Sequence, residues 1–129
     1  MESLVNYSLK INEISLKNNN LIDGSFSASI NLSRDIVKRT DAEYEVTFVL
    51  EIMNSAEHPF PVDIRISISG CFDVSNLKEN DVTDFVEIQS CQILFPQIRA
   101  ILGSLTTSAM IPPILLPIVD ARQLFKPNH

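Results

Sequence analysis

Long runs in which apolar and polar residues alternate constrain this chain more than any other feature. In residues 44–52 and 62–68, every even-numbered residue is large and apolar. Successive side chains of a strand point to opposite faces, so a period of two predicts strands with one buried face. Two weaker runs precede them, in residues 5–16 and 26–32, and the first changes phase near Asn12 and Glu13, which predicts a bulge or bend.

The connections between these runs are too short for crossover helices, so the four strands are expected to form an antiparallel meander. The Asp23-Gly24 pair is read as a turn. Residues 34–41 are charged and show no period, and they are interpreted as a loop.

The period changes to that of a helix in the second half. Pro96 suits a first helical turn, and one apolar stripe follows it at helical spacing, made of Ile98, Ile101, Leu102 and Leu105. The prolines in residues 110–119 exclude a helix there, so an extended segment is predicted. Asp120 is placed as the cap of a short last helix. The fold class is α+β, in a single domain covering residues 1–129.

Charge and composition exclude several classes of function. The 129 residues carry 10 Lys and Arg against 16 Asp and Glu, a net charge of −6, which argues against binding nucleic acid. No secretory signal or membrane span is visible, so a cytoplasmic location is expected, with Cys71 and Cys91 as reduced thiols. Neither His58 nor His129 stands at a metal-ligand spacing, and no phosphate loop or catalytic motif is present. We therefore expect no enzyme activity and no cofactor.

One sheet and one helix leave much apolar surface to cover, including the segment 110–119. That surface either packs as core or serves partners, as copies of the same chain or foreign chains. Periodicity alone does not decide between these two alternatives.

The C-terminal half resembles the SecB export chaperones. That family opens its long helix with Ile-Leu-Phe-Pro, found here at 93–96, and follows it with a proline-rich crossover loop, matched by 111–117. Leu124-Phe125 matches its closing Leu-Phe, and the strands at 44–46 and 70–72 resemble its middle strands. The likeness covers residues 7–125 and favours partners over a simple core.

The resemblance implies a homotetrameric, ATP-independent holdase, a dimer of dimers that keeps unfolded polypeptides soluble. It implies client contacts at Ile30, Leu32, Ile111, Leu115, Leu116 and Phe125. It implies packing between subunits at Val62, Ile64, Ile66 and Ile68, and the helix stripe Ile98, Ile101, Leu102 and Leu105 is a second expected interface.

This sequence departs from the family pattern on the surface that the family uses to dock the export ATPase SecA. Glu13 matches an acidic contact, but Lys17 and Arg65 stand where carboxylates are expected and Asp63 where an apolar residue is expected. The chain also ends soon after its Leu-Phe. Export coupling is therefore in doubt, and two alternatives stay open: a dedicated chaperone of a toxin–antitoxin system, or an oligomeric scaffold or adaptor that binds no unfolded chains.

Overall fold

A four-stranded antiparallel sheet covered on one face by a helix makes up this structure, a computed structural model that describes residues 5–21, 26, 29–112, 114, 116 and 125. The strands are β1 (Asn6–Asn18), β2 (Ile30–Lys38), β3 (Glu43–Ile52) and β4 (Val62–Asp73). Helix α1 (Glu79–Asp84), a π-helical turn (Phe85–Gln89) and helix α2 (Ser90–Ser108) then follow without a break. This confirms the α+β class and the long helix.

The strand order is β1-β4-β3-β2, so only β2, β3 and β4 form the predicted meander. β1 pairs with β4 at the far edge instead of beside β2. The Asn19 N–H donates to the Pro61 carbonyl at 2.8 Å, which ties the end of β1 to the start of β4. The Asp23-Gly24 turn and the helix after Asp120 lie outside the described residues.

The predicted irregularity in β1 is confirmed, because the register with β4 shifts between Ile11 and Glu13. Ile11 pairs with Ile68 and Ile14 with Ile66, so both sides of the bulge present apolar residues to the helix side of the sheet. Asn12, the extra residue, donates to Ser69 Oγ at 2.8 Å on the outer face. One bulge therefore accounts for the phase change in the sequence.

Two expectations about element limits were wrong. The segment 34–41 was expected to be a loop, but β2 continues to Lys38 and pairs with β3 along its whole length. The alternation was hidden because Arg34 takes a position on the helix side of the sheet, opposite Phe48.

Helix α1 begins well before Pro96, which lies inside α2. Pro96 and Gln92 are both exposed. The carbonyl that loses its partner to the proline can therefore bond to water.

The core lies between α2 and the sheet. Helix α2 packs on β3 and β4. On β3, Val46, Phe48, Leu50 and Ile52 are all 0% exposed. Even numbers on β3 and β4 face the helix, and odd numbers form the polar outer face, as the alternation predicted.

Candidate functional site

The chain reverses direction at the end of α2. Met110 has φ of +62°, in the left-handed region. The Ile111 N–H donates to the Thr106 carbonyl at 3.2 Å and the Met110 N–H to the Thr107 carbonyl at 3.1 Å. These bonds form a Schellman motif, which satisfies the last carbonyls of the helix.

Contacts with the returning segment follow one another back along α2. The Ile114 N–H donates to Thr106 Oγ1 at 3.3 Å, and Arg99 Nε donates to the Leu116 carbonyl at 2.9 Å. Further on, the ring of Phe125 meets the edge of Phe48 with centroids 5.3 Å apart. Ile114 and Leu116 therefore lie along α2, and Phe125 lies beside β2 and β3.

Half-buried apolar side chains stand on β2 and on the described part of the C-terminal segment. We call this set the C-terminal seam: Leu32, Ile36, Ile111, Ile114 and Phe125. Each packs against the core and keeps part of its surface in water. Half-buried apolar side chains offer an extended polypeptide contact area without any change to the core.

Four of the predicted client residues lie at or beside the seam. Leu32, Ile111 and Phe125 belong to it, and Ile30, at the start of β2, is 38% exposed. Leu116 is only 7% exposed and packs in the core of the single chain, so its contact with clients stays a prediction. Leu115 lies outside the described residues.

A cation at the seam was missed by the sequence reasoning. Arg34 donates from Nη1 to the Glu87 carbonyl at 2.6 Å and to Cys91 Sγ at 3.5 Å. Its guanidinium carbon stands 4.6 Å from the ring centroid of Phe125, a cation–π contact. Burial raises the pKa of the Cys91 thiol, and Arg34 opposes that shift. The only sequence signal was an arginine in phase with the apolar residues Ile30, Leu32 and Ile36.

The π-helical turn supplies the acceptors for these bonds. Ser90 Oγ donates to the Val86 carbonyl at 2.6 Å, and Cys91 Sγ donates to the Glu87 carbonyl at 3.4 Å. Side chains therefore bond to carbonyls of the turn, where the helical ladder is irregular. Turns of this kind are frequent at functional sites.

A second apolar surface lies on the other side of α2. We call it the β1 strip: Tyr7, Leu9, Ile11 and Ile14 are 51%, 41%, 57% and 43% exposed. Ile14 lines a shallow groove with Ile101 and Leu105 of α2. These residues lie on the helix side of an edge strand, and among the described residues nothing pairs with the outer backbone edge of β1.

The expected interface residues divide into two groups. Ile101 and Leu105 are half-buried and line the groove beside the β1 strip. The other six lie in the chain's own core at 0–3% exposure in the single chain, and their role between subunits stays a prediction. They are Val62, Ile64, Ile66, Ile68, Ile98 and Leu102.

The four residues expected at the ATPase dock lie together on the outer face of the sheet. Arg65 Nε bonds Glu13 Oε1 at 2.9 Å, and its Nη1 stands 3.2 Å from Glu51 Oε1. The bond to Glu13 raises the pKa of Arg65. Lys17 pairs in register with Asp63. On this face, therefore, most of these carboxylates lie beside a cation.

Asp63 is held by neutral donors. Its Oδ1 accepts from the Asn54 N–H at 2.8 Å and from Asn19 Nδ2 at 2.9 Å. The bond from Asn54 is the main cause that lowers the pKa of Asp63. Asp63 thus links the segment after β3 to the segment after β1 through hydrogen bonds, which an apolar residue could not form.

No helix among the described residues is long and apolar enough to cross a membrane.

The family model for SecB, preprotein translocase subunit SecB, matches residues 10–129. An uncharacterised protein of Methanocaldococcus jannaschii is 28% identical over 118 residues, which are 89% of this chain and 76% of that protein. A protein-export protein SecB of Maricaulis maris is 28% identical over 80% of this chain and 61% of its own length. The chain thus spans less than two thirds of that SecB.

A solved structure shares the fold. It is a SecB-like chaperone of Mycobacterium tuberculosis in complex with a peptide from the HigA1 antitoxin, with a TM-score of 0.67 at 14% identity, covering 90% of this chain and 91% of that one. Since the family model covers nearly the whole sequence and the sheet-and-helix fold agrees with this relative, the chain belongs to the SecB family.

Proposed function

We propose that this chain is a cytoplasmic, ATP-independent holdase that binds non-native polypeptides along the C-terminal seam. The observation that carries the proposal is a set of half-buried apolar side chains on two separate segments, β2 and the C-terminal segment, that pack against the same core. Non-native chains expose scattered apolar residues, which suit a long apolar surface better than a shaped pocket. No step of this function requires bond chemistry, so the role is that of a chaperone and not of an enzyme.

The proposal includes self-association through the β1 strip. An edge strand whose apolar face is exposed tends to pair with another chain. Ile101 and Leu105 extend the apolar area onto α2. A homotetramer, as implied by the family, would cover this surface and leave the seam, on the other side of α2, free for clients.

A second candidate is a dedicated chaperone for one antitoxin. The structural relative from Mycobacterium tuberculosis was solved with an antitoxin peptide, and the mixed charges around Lys17 and Arg65 weaken the case for export through SecA. The remaining alternative is a scaffold without client binding. We favour a holdase over a scaffold because the side chains of the seam keep part of their surface exposed in the single chain.

Aggregation of chemically unfolded proteins, followed by light scattering, tests the proposal. The wild type should suppress the aggregation of several unrelated clients if it is a generalist, and of one antitoxin if it is dedicated. A scaffold would suppress none, and that result would refute the proposal.

Two variants separate binding from folding. Ile111→Ser should weaken suppression with little loss of stability, because Ile111 is only half-buried. Leu116→Ser is the matched control for core damage, and truncating a buried leucine costs about 2–5 kcal/mol of stability. If Ile111→Ser left suppression per folded molecule unchanged, the seam would be part of the core only.

A further inference from the structure

The side chain of Thr106 is a polar group at a core position of α2. Ile98, Leu102 and Thr106 follow one another at a spacing of four residues and are all 0% exposed, but only Thr106 carries a hydroxyl. Its Oγ1 donates to the Leu102 carbonyl at 3.0 Å, with the Gly103 carbonyl 3.1 Å away. The lone pairs of Oγ1 remain for a second partner.

That second partner is the segment that returns along α2. The Ile114 N–H donates to Thr106 Oγ1 at 3.3 Å, and the Ile111 N–H donates to the carbonyl of the same threonine at 3.2 Å. Thr106 therefore holds two members of the C-terminal seam, Ile111 through its main chain and Ile114 through its side chain. Only the bond to the side chain can be removed by a substitution at this position.

The returning segment has few main-chain groups by which it can be fixed. Proline has no N–H, so residues 112, 113 and 117 cannot donate, and between them only residues 114, 115 and 116 can. Each donor that is bonded therefore has a large share in setting the path of the segment.

Leu116 anchors the segment beyond Ile114. It is 7% exposed and packs in the core, and its carbonyl accepts from Arg99 Nε at 2.9 Å. Among the residues that the structure describes, Thr106 is the one whose side chain bonds to the main chain between residue 109 and Ile114. The stretch between α2 and Leu116 therefore depends on this hydroxyl more than on any other described side-chain bond.

We propose that the Thr106 hydroxyl is a positioning group for client binding, which holds the apolar side chains of Ile111 and Ile114 in the one arrangement that clients meet. This inference rests on the proposed function, since it concerns the same seam. Thr106 is 0% exposed, so it acts through Ile114 and not by contact with the client. A segment that visits several paths presents the seam for only part of the time, and the apparent Kd rises by the inverse of that fraction.

Two substitutions separate the hydroxyl of Thr106 from the packing of its side chain. Thr106→Val keeps the size and the β-branch and removes the acceptor, whereas Thr106→Ser keeps the acceptor and deletes one buried methyl group. If Thr106 only fills the core, Thr106→Ser should be the more damaging change, because it leaves a cavity. If the hydroxyl positions the segment, Thr106→Val should be the more damaging change for client binding.

Binding is measured with reduced, carboxymethylated α-lactalbumin, a chain that stays unfolded in buffer, labelled for fluorescence anisotropy and titrated with the full-length protein. Thr106→Val should raise the Kd by about two- to tenfold, the range for the loss of one hydrogen bond, and Thr106→Ser should leave it close to the wild-type value. Hydrogen exchange of the Ile114 amide, followed by NMR, should be faster in Thr106→Val by a similar factor and should be unchanged in Thr106→Ser.

Thr107→Val is the matched control. Thr107 Oγ1 makes the same kind of bond within the helix, to the Gly103 carbonyl at 2.9 Å. Thr107 is exposed, however, and its hydroxyl bonds to none of the described residues of the returning segment. This substitution should therefore leave both the Kd and the exchange of the Ile114 amide unchanged.

Two failures are distinguishable. If the wild type does not bind the unfolded probe, the holdase proposal fails for such clients, and the inference fails with it. If the wild type binds and Thr106→Val binds as tightly, or if Thr106→Ser loses as much affinity as Thr106→Val, the holdase proposal stands and the positioning role of the hydroxyl is refuted.

Discussion

Asn12 Nδ2 and Ser69 Oγ lie 2.8 Å apart on the outer face of the sheet, where the bulge of β1 meets β4. Ser69 Oγ also stands 2.7 Å from Thr47 Oγ1 of β3, so this polar contact joins three strands. Ser69 is 1% exposed. A bulge residue whose side chain enters a partly buried hydrogen-bond network fixes the register of the edge strand.

Asn12→Ala should lower the free energy of unfolding by about 1 kcal/mol, the usual value of such a hydrogen bond. Urea unfolding followed by circular dichroism would measure it. Ser8→Ala, at an exposed position on the same strand, is the matched control and should change little. Equal effects of the two substitutions would show that the bulge contact does not stabilise β1.

Ile14→Asp should dissociate the assembly and leave the subunit folded, because Ile14 is 43% exposed in the single chain. A charge introduced into an interface would have to be buried there without a partner, at a cost of several kcal/mol. Light scattering coupled to size exclusion gives the mass, and circular dichroism checks the fold.

Ile66→Asp is the contrasting variant. Ile66 is 0% exposed, so this substitution should unfold the subunit itself and not only separate copies. A monomeric wild type, or an Ile14→Asp protein of unchanged mass, would contradict self-association through the β1 strip.

The alternation of apolar residues was sufficient to predict four strands, the bulge near Asn12 and the buried face of the sheet, because a period of two has no other common cause in a folded chain. It was insufficient at β2. Arg34 occupies a helix-side position there, and its partners, Glu87 and Cys91, are more than fifty residues away. Tertiary contacts of this kind leave no trace in the local pattern.

The start of the helix was also predicted incorrectly. Val82, Phe85 and Val86 do have helical spacing, and Phe85 and Val86 are buried, but Pro96 offered a more familiar helix start. The candidate site was only partly predictable, because the sequence cannot tell whether an apolar residue ends in the core, as Leu116 does, or at the seam, as Ile111 does.

Met110→Gly should stabilise the protein. Met110 is 94% exposed and has φ of +62°, so the substitution loses no packing and removes the steric cost of the left-handed conformation. That cost is about 1 kcal/mol for a residue with a side chain. Thermal unfolding should show a higher Tm, and Met110→Ala, which keeps the Cβ, should not. A Met110→Gly protein that is less stable would mean that the turn is not strained.

Acid should remove a contribution from Asp63. Its pKa is lowered in the folded state, mainly by the Asn54 N–H, so its charge stabilises the fold above the unfolded pKa and is lost as pH falls through the folded pKa. Asp63→Asn keeps an oxygen acceptor without the charge and should cost about 1 kcal/mol at neutral pH. The difference in free energy of unfolding between the two proteins should shrink below the ordinary value of 3.8. A difference independent of pH would refute this account.

Lys17→Glu should strengthen binding to SecA from the same cell, measured by titration at low and high salt. If SecA docks on the outer face through basic surface, as the family resemblance implies, a carboxylate at this exposed position exchanges repulsion for attraction. Each exposed pair is worth about 0.2–1 kcal/mol, and a reversed charge removes one repulsion and adds one attraction, so the gain is about two- to thirtyfold per site and weakens with salt. Lys78→Glu makes the same change in net charge away from this face and should have less effect.

Arg65 cannot serve as a second probe of this kind. Its guanidinium bridges Glu13 and Glu51 at 2.9 and 3.2 Å. Arg65→Glu would therefore place three carboxylates side by side and should lower the Tm, whatever it does to docking. Two results for Lys17→Glu would show that docking does not depend on this charge: tight binding of the wild type that the substitution leaves unchanged, or equal gains for Lys17→Glu and Lys78→Glu. A gain confined to Lys17→Glu would instead support a chaperone whose outer face has lost the charge pattern for export.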